Sequence, residues 1–397
     1  MNNKYLLCIL FVVLTSCTET NFEKEIIVDE IKIINTNHPL EVTVDDLIDS
    51  VTYVPLSTNE CLLGEVEVIK HDDGFYFIKD NKGLFVFKAD GAFVCEISSK
   101  GIGPDEYLFM NSFCLDRKNK HVCVVSNVQN KMMRFTYNGN FVSAYTFTDK
   151  NIQLSEMAFL NNGNMVGYHP FSNANIHRSY EYGLYTLLSE GLDSEEVFKG
   201  MDISAGNVYY PYFRHSMTLK ADSLYFLSAF MNKVYVFDGS RVAHSYSINI
   251  PNVAPKLSFF EEHSDMNCLD LMDVMKKEKI GRGVTAILST ENYILLSINN
   301  SHSLLWNGDK AVLLSYVFEP ELNLYFDLVM SGGTTDERLG FFSTEFLMSQ
   351  KERMAEIDDI ELKQIIDKLH EEDNPIIYRL HLKTGLIESL SNRLKET

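Results

Sequence analysis

Basic residues are scarce in this chain: 35 Lys and Arg stand against 55 Asp and Glu, giving a formal charge of −20. Such a surface repels nucleic acid and anionic lipid headgroups, so neither is expected as a partner. Long apolar runs are also missing beyond the N-terminus, so no later segment is expected to cross a membrane as a helix. Histidines are few, 11 in all. They form no His-x-His pair and no His-Glu-x-x-His helix, so spacing indicates no preformed zinc site and no cofactor is expected. A Gly-x-Ser-x-Gly elbow is absent too, and Ser331-Gly332-Gly333 is a flexible loop without a nucleophile pattern.

What is present begins with an export signal. Met1 to Ser16 has a basic start at Lys4, an apolar run from Tyr5 to Leu14 and small residues before Cys17. The run is too short to span a bilayer. "LTSC" (14–17) resembles the lipobox at which bacterial lipoproteins are cleaved and lipidated, which makes Cys17 the expected lipidated residue. A multi-chain anchor would hold the protein stably on the membrane. The expected location is the outer membrane or periplasm, and Glu19, Glu23 and Glu25 after the anchor are compatible with surface display. Residues 17–40 are read as an anchor and linker segment. The chain has seven cysteines. Setting aside Cys8 and Cys17 leaves Cys61, Cys95, Cys114, Cys123 and Cys268, which cannot all pair. A hairpin in "FCLDRKNKHVC" sets Cys114 opposite Cys123, where free thiols are favoured over a strained cross-strand bridge.

Internal periodicity supplies the architecture. Segments 83–97, 131–147, 182–198 and 233–248 each read as strand, glycine turn, strand. Their turn glycines, Gly91, Gly139, Gly191 and Gly239, follow Asp90, Asn138, Glu190 and Asp238 and recur about every 50 residues. Asn-Gly and Asp-Gly between alternating strands are strong hairpin signals. Further copies carry Gly308 and Gly385 after wider intervals, explained by helical insertions at about 258–280 and 344–371. Another strand pair precedes every turn, for instance at 65–80, 112–127, 156–169, 217–230 and 284–298. Repeats of four short antiparallel strands describe the blades of a β-propeller. The expected fold is therefore all-β, a six-bladed β-propeller with two inserted helical segments over 41–392. The strand "SVTYVPLST" (50–58) is well placed to close the last blade with the C-terminal pair. Plain packing on blade six is the expectation for the second insertion.

"KGIGPDEYLF" (100–109) then falls between the outer strand of one blade and the inner strand of the next. Gly101, Gly103, Pro104 and Tyr107 are read as an interblade crossover. A phosphate loop would need a helix directly after it, and here a strand follows.

"YVPLST" (53–58), "GxGPxEY" (101–107), "YPYFRHSM" (210–217) and "EEDNPIIYRL" (371–380), behind a lipobox, resemble the six-bladed β-propeller lipoproteins of bacteria, distantly similar to NHL-repeat propellers. The resemblance covers roughly residues 40–390. It departs at Asp105, where a further glycine is usual. It implies an exported binding or scaffold protein and carries over no catalytic residue.

On the residues alone, the candidate ligand site is the aromatic cluster Tyr209, Tyr210, Tyr212, Phe213, Arg214 and His215, leading into the fourth inner strand. Rings and a guanidinium at a channel mouth could stack on a sugar or grip a carboxylate, with His169 or Trp306 adding to the rim. The competing reading packs these rings between blades. His71, His169 and His215 could converge on the channel from different blades. The expected partner is a glycan, a peptidoglycan fragment or an envelope protein. The alternatives are a channel-mouth lyase or hydrolase, using a metal or an acid/base set, and a structural subunit of an envelope assembly.

Overall fold

The computed structural model describes residues 26–148, 153–169, 184–188, 193–198, 215–228, 230–266, 268–299, 301–319, 324–326, 337–351 and 359–396. Six sheets make up a six-bladed β-propeller. Blade one is built from Val66–Asp72, Phe75–Asp80, Leu84–Lys88 and Phe93–Glu96, and blade two from Ser112–Asp116, His121–Ser126, Lys131–Thr136 and Phe141–Thr146. Blade three comprises Glu156–Phe159, Met165–His169, Leu184–Leu188 and Ser194–Phe198. Blade four comprises Met217–Lys220, Ser223–Leu227, Lys233–Phe237 and Val242–Ser247. Blade five runs through Val284–Ser289, Ile294–Ile298, His302–Trp306 and Lys310–Glu319. Blade six joins Glu337–Phe342 and Ile376–Leu382 to Ile48–Pro55 from the other end of the chain.

Local turn chemistry explains the repeat. Gly91, Gly139, Gly239 and Gly308 all have positive φ. The residue at the head of the turn caps it with its side chain. Asp90 Oδ1 accepts from the Ala92 N–H, Asp238 Oδ1 from those of Ser240 and Arg241, and Asn307 Oδ1 from those of Asp309 and Lys310. The outer hairpins of blades one, two and four also share a shift of register beside the turn, between Val86 and Phe87, Arg134 and Phe135, and Val236 and Phe237, whereas that of blade three falls at the far end of the strand, between Tyr185 and Thr186. Bulges of this kind increase strand twist, as wedge-shaped blades require. Gly191 lies outside the described residues.

A strand that precedes blade one closes the ring, as its sequence suggests. Ile48–Pro55 runs antiparallel to Ile376–Leu382, and Val54, Leu56, Ile69, Ile78, Leu339 and Ile377 bury one another where blade six meets blade one. Asn374, only 3% exposed, pins this seam. Its side chain accepts from the Leu63 N–H and donates to the carbonyls of Ser57 and Cys61.

Two expectations are corrected. Gly385 does not head a sixth hairpin; at φ 67° it leads into the helix Leu386–Glu396. The edge that a further strand would occupy is already filled by Ile48–Pro55, and Leu386, Ile387 and Leu390 instead bury themselves with Val312 and Leu314 of blade five. The segment read as linker also belongs in part to the propeller. Ile27–Glu30 pairs in parallel with blade four's outer strand, and Lys32–Ile33 and Leu40–Thr43 pair in parallel with that of blade five. This strap satisfies backbone groups that two open sheet edges would otherwise leave unpaired.

Both insertions are helical where expected, with helices at Leu257–Glu262 and Cys268–Glu278, then at Thr344–Ser349 and Ile360–Ile366. The second insertion packs on blade six: Leu347, Leu362 and Ile366 join Phe342 and Tyr378, and the Tyr53 hydroxyl donates to Asp359 over 2.8 Å.

Candidate functional site: the central channel

The first strand of each blade faces the axis, and polar contacts stitch these strands into a girdle. Lys70 of blade one donates to the Phe113 carbonyl of blade two over 3.0 Å, with its ammonium 5.0 Å from the Phe113 ring centre. Glu156 of blade three accepts from both the backbone N–H and the hydroxyl of Ser216, each at 2.6 Å, at the threshold of blade four. Thr218 and Ser289 join blades four and five through hydroxyls 2.9 Å apart, and Arg338 of blade six, 2% exposed, donates to the Ser289 carbonyl.

Inside the girdle lies a cavity of about 610 Å³, lined among others by Lys70, Arg117, Glu156, Phe159, His215 and Lys220. His215 Nδ1 stands 3.7 Å from Glu156 Oε1. Burial pushes the Glu156 carboxyl up, but His215, Ser216 and Lys70 outweigh it and hold the group below the usual range. Lys70 is shifted down by burial, against the pull of Cys114 and Glu156. Burial likewise lowers Arg117, against the attraction of Asp72 at 3.7 Å. Lys220 caps the carbonyls of Thr290 and Glu291 at the far wall.

Of the site residues expected from sequence, His215 lines this cavity. Tyr209, Tyr210, Tyr212, Phe213 and Arg214 lie outside the described residues, as do Ser331 to Gly333, Met1 to Ser16 and Cys17. His169 does not belong to the channel lining: it is buried on the second strand of blade three, its Nε2 3.1 Å from the Thr186 hydroxyl. Trp306 is buried where blades four and five meet, edge-on to Tyr246 at 4.8 Å. Its size makes it interblade filling rather than rim. His71 is tilted over Tyr76, 4.9 Å between centroids, with burial holding its pKa below the usual value. Among the described residues, no group of three or more His, Cys, Asp or Glu side chains is arranged to hold a metal ion. Cys61, Cys95, Cys114 and Cys123 are free thiols, with Cys114 and Cys123 opposite one another as the hairpin predicts.

The loop of Gly101, Gly103, Pro104 and Tyr107 is the interblade crossover. The Gly101 N–H donates to the Tyr107 carbonyl, Glu106 accepts from the Gly103 N–H over 2.9 Å, and Tyr107 is 1% exposed in the core between blades one and two. The Glu106 carboxylate occupies the space above both glycines. The loop thus binds its own carboxylate.

Sequence reasoning missed Lys70, Arg117, Glu156 and Lys220. Their only signal is a charge on or beside the inner strand of a blade, which becomes informative once the strand register is known.

Residues 27–381 match the model of a family described as a domain of unknown function, DUF4934. The chain belongs to this family. Among solved structures it is similar to a protein of Bacteroides fragilis assigned as exported, at 19% identity and a TM-score of 0.67, covering 91% of this chain and 100% of that one. It is also similar to a DUF4221 family member from Bacteroides vulgatus, at 10% identity and a TM-score of 0.51, covering 85% and 97%. These likenesses establish the propeller fold. No curated protein matches the sequence. No helix among the described residues of this DUF4934 propeller is long and apolar enough to cross a membrane.

Proposed function

We propose that this propeller is an exported, lipid-anchored binding protein of the cell envelope that receives a glycan or peptidoglycan fragment in its central channel. The observation that carries the reading is the cavity of about 610 Å³ at the axis, a size typical of small-ligand sites, with charged and hydroxyl groups set among Phe159 and Met157. The lipobox at Cys17 and the likeness to an exported protein support the location. From Cys17 the chain to Ile27 can reach at most about 35 Å, which would hold the outer edge of blade four close to the membrane. A protein-scaffold role draws less support, because Leu347, Leu362 and Ile366 of the second insertion are buried against blade six.

The test is a thermal-shift screen of the mature chain against envelope saccharides. At least one should raise the melting temperature in proportion to its occupancy, and Phe159→Ala should weaken it. Radiolabelled palmitate should label the wild type in cells and not Cys17→Ala.

A second reading, a channel lyase or hydrolase, is favoured by the Glu156–His215 pair, since a carboxylate beside an imidazole is an acid/base arrangement. Mass spectrometry of the ligand after prolonged incubation separates the two. A binder returns it intact, whereas an enzyme returns fragments.

A further inference from the structure

The whole chain carries a charge of −20, yet the channel wall presents Lys70, Arg117 and Lys220 against Glu156 and Glu291, a local excess of one positive charge. The sign is thus inverted where a ligand would sit. Holding the Lys70 ammonium away from water is costly unless something compensates it. Lys70 donates to a neutral carbonyl, that of Phe113. It lies close enough to Arg117 for the two to repel. The carboxylate nearest Arg117, Asp72, is shared with Lys120 at 3.4 Å and with the Tyr137 hydroxyl at 2.7 Å. Glu156 attracts Lys70, but its Oε2 already accepts twice from Ser216.

We infer that the channel selects saccharides bearing a single carboxylate, held at Lys70 and Arg117. The inference rests on the channel-binding reading above and names its ligand class. A guanidinium pairs bidentately with a carboxylate, and an ammonium adds a point charge. Arg117 keeps 46% of its side chain exposed and so has room to engage a ligand. The same wall disfavours a dianion, because Glu156 stands opposite and the local excess is one charge. Phe159 offers a ring face to a sugar.

Two sources supply this chemistry, a uronate or the lactyl group of a muramic acid, and matched pairs distinguish them. Isothermal titration of the mature chain uses a disaccharide ending in glucuronate against its glucose counterpart, and one ending in N-acetylmuramate against its N-acetylglucosamine counterpart. The acidic member of at least one pair should bind ten-fold or more tightly than its neutral partner, with affinity falling as salt rises. Lys70→Met and Arg117→Gln, each checked for a wild-type circular dichroism spectrum, should each reduce that preference by about ten-fold. Two separate variants guard against one failing to fold. Neutral and acidic sugars binding equally would overturn the carboxylate inference and leave the channel reading standing. An acid preference indifferent to both variants would likewise overturn the assignment of the carboxylate to Lys70 and Arg117, and no binding of any of the four would overturn both readings.

Discussion

Tyr53 and Tyr378 stand opposite each other across the seam that closes the ring, one from the start of the chain and one from its end. Every blade depends on that seam, because a propeller open at one edge exposes two apolar sheet faces. Ile377, fully buried beside Val54 and Leu339, is its centre. Replacing Ile377 with Ala should cost about 2–5 kcal/mol. Urea unfolding should show the loss in a single transition, since the seam joins the whole ring.

Asn374 is a second point of vulnerability. Its amide satisfies one backbone N–H and two carbonyls in the 57–63 segment. Asn374→Asp retains the acceptor and loses both donor contacts, so it should destabilise by about 1–3 kcal/mol per group left unsatisfied. Thermal melts of the two proteins at neutral pH measure this.

Two turn glycines with similar backbone angles should respond differently to alanine. Gly91 has φ 85° and Gly239 has φ 95°. A Cβ at Gly91 would sit 2.1 Å from the Pro55 carbonyl oxygen, whereas nothing lies within 4 Å of one at Gly239. Gly239→Ala should therefore cost only the left-handed penalty of about 1–2 kcal/mol. Gly91→Ala should cost more, because the outer turn of blade one must also move off the closing strand. Comparing the two by chemical denaturation isolates the contact from the backbone angle.

The depressed pKa of Glu156 sets a pH dependence. The unfolded carboxyl titrates near 4.5 and the folded one lower. Its contribution is therefore fully present above pH 4.5 and lost as pH falls through the folded value. The wild type should lose stability relative to Glu156→Gln over that acidic window. Melting temperatures of both proteins between pH 3 and 7 check the sign.

Particular residues show where sequence was informative. Gly91, Gly139, Gly239 and Gly308 announce their hairpins because turn chemistry is local, and Asp90, Asp238 and Asn307 form the caps that their identities suggest. The strap at Ile27–Glu30 gave no such sign. It is four exposed residues, two of them acidic, and its partner strand is Val242–Ser247 on a distant stretch of chain. "KTGLIESL" imitates a hairpin through Gly385, but Leu386, Ile387, Leu390 and Leu394 fall on one helical face, a period visible only by reading past the turn. The channel charges were least legible. Lys70, Glu156 and Lys220 each stand alone on a different blade and meet through ring closure. Among the histidines that sequence placed near the channel, His215 lines it, whereas His169 is held by Thr186 within its own sheet.

We propose that the axis of the propeller is where this protein meets its ligand. The most direct measurement is a crystal structure of the mature chain soaked with the carboxylated disaccharide that binds best in titration. Binding at the axis places density inside the cavity, with the carboxylate within hydrogen-bonding distance of Lys70 and Arg117. Density on the outer face of a blade, with the cavity holding only solvent, would contradict it.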